Sequence, residues 1–277
     1  MVRAIFFAGA RVSRPNRFML GEMPEFTPDS PLVSRAAPSP NHGERHGGSP
    51  DMIVLHYTGM PDATVALDRL CDPASQVSAH YLVFEDGRII QCVAEAHRAW
   101  HAGESLWGGD IDINSRSIGI EIANPGHDGG YPDFPATQVD AVIALCRDIR
   151  ARHAISAENV LAHSDVAPGR KNDPGEKFPW EALHRAGIGL WVKPHATGEG
   201  DALALGVMGP AVEKLQENLS DYGYGLAVTG DFDAQTENVV RAFQRHFRPA
   251  CVDGIADRST TDTLADLLAA RRKASGA

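Results

Sequence analysis

Apolar and polar residues follow one another in patterns that predict a mixed sheet with flanking helices, and then a smaller helical region. The continuous apolar run over residues 52–58 predicts a buried strand with His56 near its exit. Residues 78–84 and 89–93 are separated by an Asp-Gly turn and predict a hairpin. Apolar residues at helical intervals over 137–153 predict an amphipathic helix that packs on the sheet. This order of elements indicates an α/β domain with a mixed central sheet flanked by helices.

Strict alternation over residues 117–123 predicts a second central strand, in which Glu121 points away from a face of isoleucines. Its neighbours on that side, Gly119 and Ala123, are too small to cover the carboxylate. Desolvation penalises a carboxylate in a central strand unless it is paired or has a function. We therefore interpret Glu121 as a functional residue.

A polar loop over residues 163–175 contains an imidazole, an ammonium and a carboxylate, from His163, Lys171 and Asp173. A short apolar run leads into this loop, and its proline and glycine residues can fix side chains without regular structure. A capped, solvated loop that binds nothing is the alternative. This stretch alone leaves both interpretations open.

Two histidines and an aspartate that are distant in the chain can form a metal site if the strands that lead to the two histidines are neighbours. With His56 beside His163 and Asp173 folded back to reach them, one coordination position stays open for water, as in catalytic zinc sites. Zinc acidifies a bound water, and Glu121 can take its proton and return it to a leaving amine. Lys171 can stabilise the oxyanion. These residues together describe amide hydrolysis, although their spacing matches no compact zinc helix such as HExxH.

Composition argues against several classes of function. The 277 residues carry a formal charge of −10 with neutral histidines, which repels nucleic acids and anionic lipids. No apolar run approaches the roughly 20 residues of a membrane span. The 4 cysteines lack zinc-type spacing, so the 12 histidines are the expected source of metal ligands. We expect a monomer without a nucleic-acid partner and without a transmembrane segment.

Two segments of different composition flank the main domain. Residues 1–47 are rich in proline, serine, arginine and glycine without a sustained period, which predicts a flexible N-terminal tail. An apolar piece near its start has no convincing signal-peptide cleavage context, so export stays open. A polar linker over residues 193–206 precedes three helical patterns over residues 207–270, which predict a small three-helix C-terminal domain.

Five segments of the main domain resemble the zinc-dependent N-acetylmuramoyl-L-alanine amidases of the amidase-2 class, which are related to peptidoglycan recognition proteins. They are LHYT from Leu55, SAHYLV from Ser78, AWHAG from Ala99, SIGIEIAN from Ser117 and HSDVAPGRKNDPG from His163. The resemblance covers residues 51–192, and the last segment is the most specific. It implies a zinc amidase catalytic domain over residues 48–192.

The same resemblance implies cleavage of the amide between N-acetylmuramic acid and L-alanine in peptidoglycan or muropeptides. It implies one zinc ion (Zn2+) on His56, His163 and Asp173, with Glu121 and Lys171 as catalytic residues. The side chains that it implies along the substrate groove are Tyr57, Trp100, His101 and Asn124.

The C-terminal region resembles the peptidoglycan-binding helical domain, through the segments VEKLQ, GDFDAQT and AFQR; a generic three-helix bundle is the alternative. Such a module would concentrate the catalytic domain on an insoluble polymer. A non-catalytic peptidoglycan recognition or sensor protein is the alternative function, and it would need neither Glu121 nor Lys171. A binding domain favours the cell envelope, and the missing export signal favours the cytoplasm.

Overall fold

A six-stranded mixed sheet forms the centre of the larger domain in this computed structural model, which describes residues 26–197 and 201–274. Its strands, numbered along the chain and given in spatial order, are β1 (Arg35–Ala36), β5 (Ile89–Gln91), β4 (Tyr81–Val83), β7 (Ser117–Ile122), β3 (Met52–Tyr57) and β8 (Val160–Ala162). Only β4 and β5 pair antiparallel, as the predicted hairpin; the other pairs are parallel. A separate antiparallel ribbon joins β2 (His42–Glu44) to β6 (His97–Ala99).

Helices cover the sheet and form the C-terminal region. They are α1 (Ala63–Cys71), α2 (Ile113–Arg116), α3 (Ala136–Arg152), α4 (His163–Val166), α5 (Trp180–Arg185), α6 (Pro210–Tyr222), α7 (Ala234–Phe247) and α8 (Arg258–Ala274). The predicted α/β fold class and the C-terminal helices are confirmed. Among the described residues, no helix has the length and apolar character needed to cross a membrane.

Different helices pack on the two faces of the sheet. Ile53 and Leu55 of β3 pack in one core with the apolar side of α3, as the sequence predicted. Met52 and Val54 face the other way and share a second core with helices α6, α7 and α8. Because a parallel strand needs apolar cover on both faces, the C-terminal domain completes the core of the larger one.

Two short strands lie within residues 1–47, which the sequence predicted as a flexible tail, and residues 1–25 lie outside the described part of the chain. Strand β1 pairs with β5, and β2 pairs with β6. The buried Asn41 donates hydrogen bonds to the carbonyls of Asp72 and Val77 at 2.8 and 2.9 Å. Strands of two or three residues are too short to leave a period in the sequence, so long-range pairing decides this segment.

The segment predicted as a linker over residues 193–206 lies against the C-terminal helices where it is described. The His195 amide donates to Thr263 Oγ1 at 3.0 Å, and Leu203 forms a two-way backbone bridge with Ala256. Trp180 of the larger domain stacks on His246 of α7 with ring centroids 3.7 Å apart. The C-terminal helices are therefore docked on the larger domain rather than only joined to it by the chain.

Candidate active site

A cavity of about 560 Å³ opens at the carboxyl edge of the sheet, a volume in the ordinary range for small-molecule sites. The register of β3 against β7 and β8 creates it, because parallel strands end at one edge. Strand β3 ends beside the exit of β8, where the chain turns into α4. The predicted site residues that line this cavity are His56, Tyr57, Trp100, His101, Glu121, His163, Lys171 and Asp173.

The three predicted metal ligands meet in this cavity although they come from distant parts of the chain. His56 Nδ1 lies 2.9 Å from His163 Nδ1 and 3.1 Å from Asp173 Oδ2, and His163 Nδ1 lies 2.9 Å from the same oxygen. All three residues are buried. Within residues 26–197 and 201–274 they form the one group of histidine, cysteine and acidic side chains with metal-binding proximity.

Hydrogen-bond partners determine which ring nitrogens carry protons. His163 Nε2 lies 3.0 Å from the carbonyl oxygen of Ala102, which can only accept, so Nε2 is protonated. His163 Nδ1 is then a bare lone pair in the neutral ring. The protonated nitrogen of His56 is determined by a longer chain of contacts.

Ser117 and His101 fix the tautomer of His56. Ser117 Oγ donates to the carbonyl of Ile113 at 2.6 Å and therefore accepts from His101 Nε2 at 3.1 Å. His101 Nδ1 is left as an acceptor and receives the proton of His56 Nε2 at 3.0 Å. His56 Nδ1 thus also presents a lone pair. Such partners set the orientation and basicity of metal-binding histidines.

Two lone pairs and a carboxylate oxygen converge without a hydrogen atom between them, an arrangement that repels itself unless a cation lies among the three atoms. Tetrahedral zinc at about 2.0 Å from nitrogen and oxygen ligands places them roughly 3.3 Å apart, close to the separations of 2.9 to 3.1 Å here. Two imidazoles and one carboxylate also form a ligand set known from catalytic zinc sites. His56, His163 and Asp173 therefore fit a zinc ion.

Burial shifts the pKa of His56. Burial, then the neighbouring His163, lowers the pKa of His56 to about 4, so this ring stays neutral and able to bind a metal. Burial therefore keeps the His56 imidazole in the neutral form that a metal requires.

Glu121 lies next to these three residues, and its carboxylate has an unusual environment. Its Oε2 atom is buried and has no hydrogen-bond partner among the described residues. Burial, and then the negative charge of Asp173, raises the pKa of Glu121 well above its usual value. The Cβ that Gly119 lacks would lie 2.4 Å from His101 Cγ, so the space predicted beside Glu121 is filled by the His101 ring. The open side of Glu121 is the cavity.

The loop after α4 contributes two basic residues, Arg170 and Lys171, to the wall of the cavity. Lys171 lines the cavity, and its positive charge acts against the raised pKa of Glu121. Arg170 donates from Nη2 to the carbonyls of Ala102 and Glu104 at 2.5 and 2.6 Å, which ties this loop to the segment that carries His101. No local pattern in the sequence points to Arg170 or Ser117, because their partners are backbone groups and a histidine that are distant in the chain.

Three of the four residues predicted along the substrate groove line the cavity. Tyr57 and Trp100 line the cavity together with His101. Asn124 is not among the residues that line this cavity, and its part in substrate binding stays a prediction. Its buried side chain donates to the Pro132 carbonyl at 3.0 Å and accepts from the Gly126 amide at 2.9 Å. Asn124 organises the loop after β7.

Several known proteins are similar to this chain in sequence and in fold. Residues 46–176 match the family model for N-acetylmuramoyl-L-alanine amidase, and residues 208–264 match the model for a putative peptidoglycan binding domain. The N-acetylmuramoyl-L-alanine amidase AmiD of Escherichia coli strain K12 is 41% identical over 224 residues, which cover 76% of this chain and 79% of that protein.

Solved structures agree with that similarity. The crystal structure of AmpDh3 from Pseudomonas aeruginosa has a TM-score of 0.68 at 34% identity and covers 84% of this chain and 94% of its own. The complex of E. coli AmiD with the substrate anhydro-N-acetylmuramic acid-L-Ala-D-γ-Glu-L-Lys has a TM-score of 0.68 at 38% identity and covers 82% and 92%. The chain belongs to the N-acetylmuramoyl-L-alanine amidase family.

Proposed function

We propose that this protein is a zinc-dependent amidase that hydrolyses the bond between N-acetylmuramic acid and L-alanine in peptidoglycan or in soluble muropeptides. The observation that carries the proposal is the convergence of two bare imidazole nitrogens and a carboxylate oxygen beside the unpartnered Glu121 Oε2. The AmiD complex with an anhydro-muropeptide supports this substrate class. His56, His163 and Asp173 would hold the zinc ion, which supplies Lewis-acid chemistry for attack on an amide carbonyl.

The residues of the chain then have separate tasks. Glu121 takes the proton of the attacking water on Oε2 and gives it to the departing nitrogen of L-alanine, for which its raised pKa is suited. The ammonium of Lys171 stabilises the negative charge that develops on the carbonyl oxygen. Tyr57, Trp100 and His101 line the cavity that receives the substrate.

The division of the chain follows from these assignments. We assign residues 48–192 to catalysis and residues 207–270 to peptidoglycan binding, with residues 193–206 between them. A domain that binds the insoluble polymer raises the local concentration of the catalytic domain. This assignment favours a location in the cell envelope, which fractionation of cells followed by immunodetection tests; recovery of the protein wholly in the cytoplasm would contradict it.

A muropeptide digest tests the proposed activity. Purified protein, loaded with zinc or stripped with a chelator, is incubated with anhydro-muropeptide, and the products are identified by mass spectrometry. We expect free stem peptide and the free amino sugar only in the zinc-loaded sample. An intact substrate at full zinc loading, with measurable binding of the same substrate, would instead identify a non-catalytic recognition protein.

A further inference from the structure

Asp165 connects the candidate active site to the C-terminal domain. It lies two residues after His163 in α4 and is 0% exposed. Its Oδ2 accepts a hydrogen bond from the amide of Ala162, the residue immediately before α4, at 2.8 Å. Asp165 therefore fixes the turn between β8 and α4, where His163 is placed.

The other partners of Asp165 come from the C-terminal domain. Tyr224 donates its hydroxyl to Asp165 Oδ1 at 2.7 Å, and His246 Nδ1 lies 2.7 Å from Oδ2. Both residues are buried. A buried carboxylate is costly unless its oxygens are satisfied, so these two contacts are needed to keep Asp165 in place.

The packing around these contacts is tight. His246 lies between Trp180 and Phe247, with ring centroids 3.7 and 3.8 Å away. Trp107 packs edge-on against Tyr224 at 5.0 Å, and a side chain at Gly223 would come within 2.7 Å of the Trp107 ring. The interface thus holds Tyr224 and His246 in fixed positions.

The same interface reaches the end of α4. The Leu106 amide donates to the carbonyl of Val166 at 2.8 Å, and the Gly108 amide donates to the carbonyl of Gly223 at 2.8 Å. The segment around Trp107 therefore contacts α4 on one side and the C-terminal domain on the other. Both ends of the short helix that begins with His163 are supported by contacts that lead to the C-terminal domain.

We propose that the C-terminal domain is a positioning element of the metal site: Tyr224 and His246 hold Asp165, and Asp165 holds His163 in the orientation that binds zinc. This role goes beyond polymer binding, and it rests on the proposed zinc ligation by His163. Tyr224 and His246 are positioning residues, because they act on the site only through Asp165. Partners that orient a ligand in this way change metal affinity by roughly 10- to 100-fold when removed.

The test measures the zinc affinity of the full chain by competition with a chelator. We expect Tyr224→Phe and His246→Leu to weaken zinc binding by about 10-fold or more. His246→Asn keeps a donor near the position of Nδ1 and should restore most of the affinity. Ser164→Ala is the matched control, because Ser164 lies in the same buried helix but its hydroxyl has no partner among the described residues.

Two further readouts separate positioning from polymer binding and from misfolding. Sedimentation with insoluble peptidoglycan should be unchanged in Tyr224→Phe, and its thermal unfolding should stay cooperative. If Tyr224→Phe and His246→Leu are both folded and bind zinc within twofold of the parent, this inference is overturned while the proposed function stands. A parent protein that binds no zinc would overturn the proposed function and this inference with it.

Discussion

His56 and Glu121 stand opposite each other in the parallel pair formed by β3 and β7. Residues in register on neighbouring strands have side chains on the same face, so the imidazole and the carboxylate both point into the cavity. The strand pairing therefore fixes the proposed metal ligand His56 beside the proposed proton acceptor Glu121, and both residues lie on strands rather than on a loop. Their close placement accounts for the functional importance that we assign to Glu121.

Replacing Glu121 by glutamine should remove proton transfer without removing the metal. Glutamine keeps the size of the side chain but cannot accept the proton of water, so we expect kcat to fall by about 100- to 10,000-fold. Zinc content, measured by elemental analysis, should stay at the parental level. The exposed Glu104→Gln is the control and should keep full activity. Parental turnover in Glu121→Gln would rule out Glu121 as the base.

Replacing Lys171 by methionine should affect the transition state more than substrate binding. The side chain keeps its length but loses the charge that faces the developing oxyanion, so we expect a loss in kcat of about 100-fold. KM should change much less, and steady-state kinetics with a soluble muropeptide measures both. Lys214→Met changes an exposed lysine of α6 and should have no effect. A change in KM alone would assign Lys171 to substrate binding instead.

Ser117→Ala should weaken zinc binding although Ser117 is not a proposed ligand. It acts through His101, which contacts the proposed ligand His56. Without the serine oxygen, the proton of His101 is no longer held on Nε2, and the tautomer of His56 is no longer fixed. We expect the zinc dissociation constant to rise by roughly 10-fold, measured by chelator competition. Ser164→Ala serves again as the control. Equal affinities in the two variants would show that His56 keeps its tautomer without Ser117.

His80 should make the metal-free protein sensitive to acid. Burial, and then the nearby Arg45, lowers the pKa of His80 from its usual 6.5 to about 3. Its Nδ1 accepts a hydrogen bond from the Gly119 amide at 2.9 Å, which protonation would destroy. Because the unfolded chain takes up this proton first, stability falls as pH drops below 6.5, by about 1.4 kcal/mol per pH unit until pH 3 is approached.

Chemical denaturation at several pH values in the presence of a chelator measures this effect. His80→Asn keeps an acceptor for Gly119 but does not titrate, so its stability should depend on pH less steeply by about 1.4 kcal/mol per unit below pH 6. His46→Gln alters an exposed histidine and should leave the slope of the parent unchanged. Identical slopes for His80→Asn and the parent would contradict the assignment.

The strands, and the meeting of His56 with His163 at their ends, could be predicted from the sequence because the strand signals are local. The apolar run over Met52–Tyr57 and the alternation over Ser117–Ile122 both give the observed strands. Polar residues at the ends of parallel strands meet at one edge of a sheet, which brought His56 and His163 together. The position of Asp173 could only be hypothesised from residue chemistry, because a loop of ten residues can close in many ways, and the resemblance to a family supported that hypothesis.

Long-range contacts decided the features that the sequence did not predict. The segment Arg35–Ala36 is a strand because β5 offers an unpaired edge, and no pattern within two residues can signal that. Asp165 falls in the segment predicted as a polar loop, whereas it lies in α4 and its partners Tyr224 and His246 are 59 and 81 residues further along the chain.

The dependence of cleavage on bound zinc tests the central claim most directly. Metal-free protein is titrated with zinc, and the rate of stem-peptide release from anhydro-muropeptide is measured beside the zinc bound per chain. We predict that the rate rises in proportion to bound zinc and reaches its plateau at one ion per chain, while Asp173→Ala stays inactive at the same concentrations. Full cleavage by the metal-free protein, or by Asp173→Ala without bound zinc, would contradict the account.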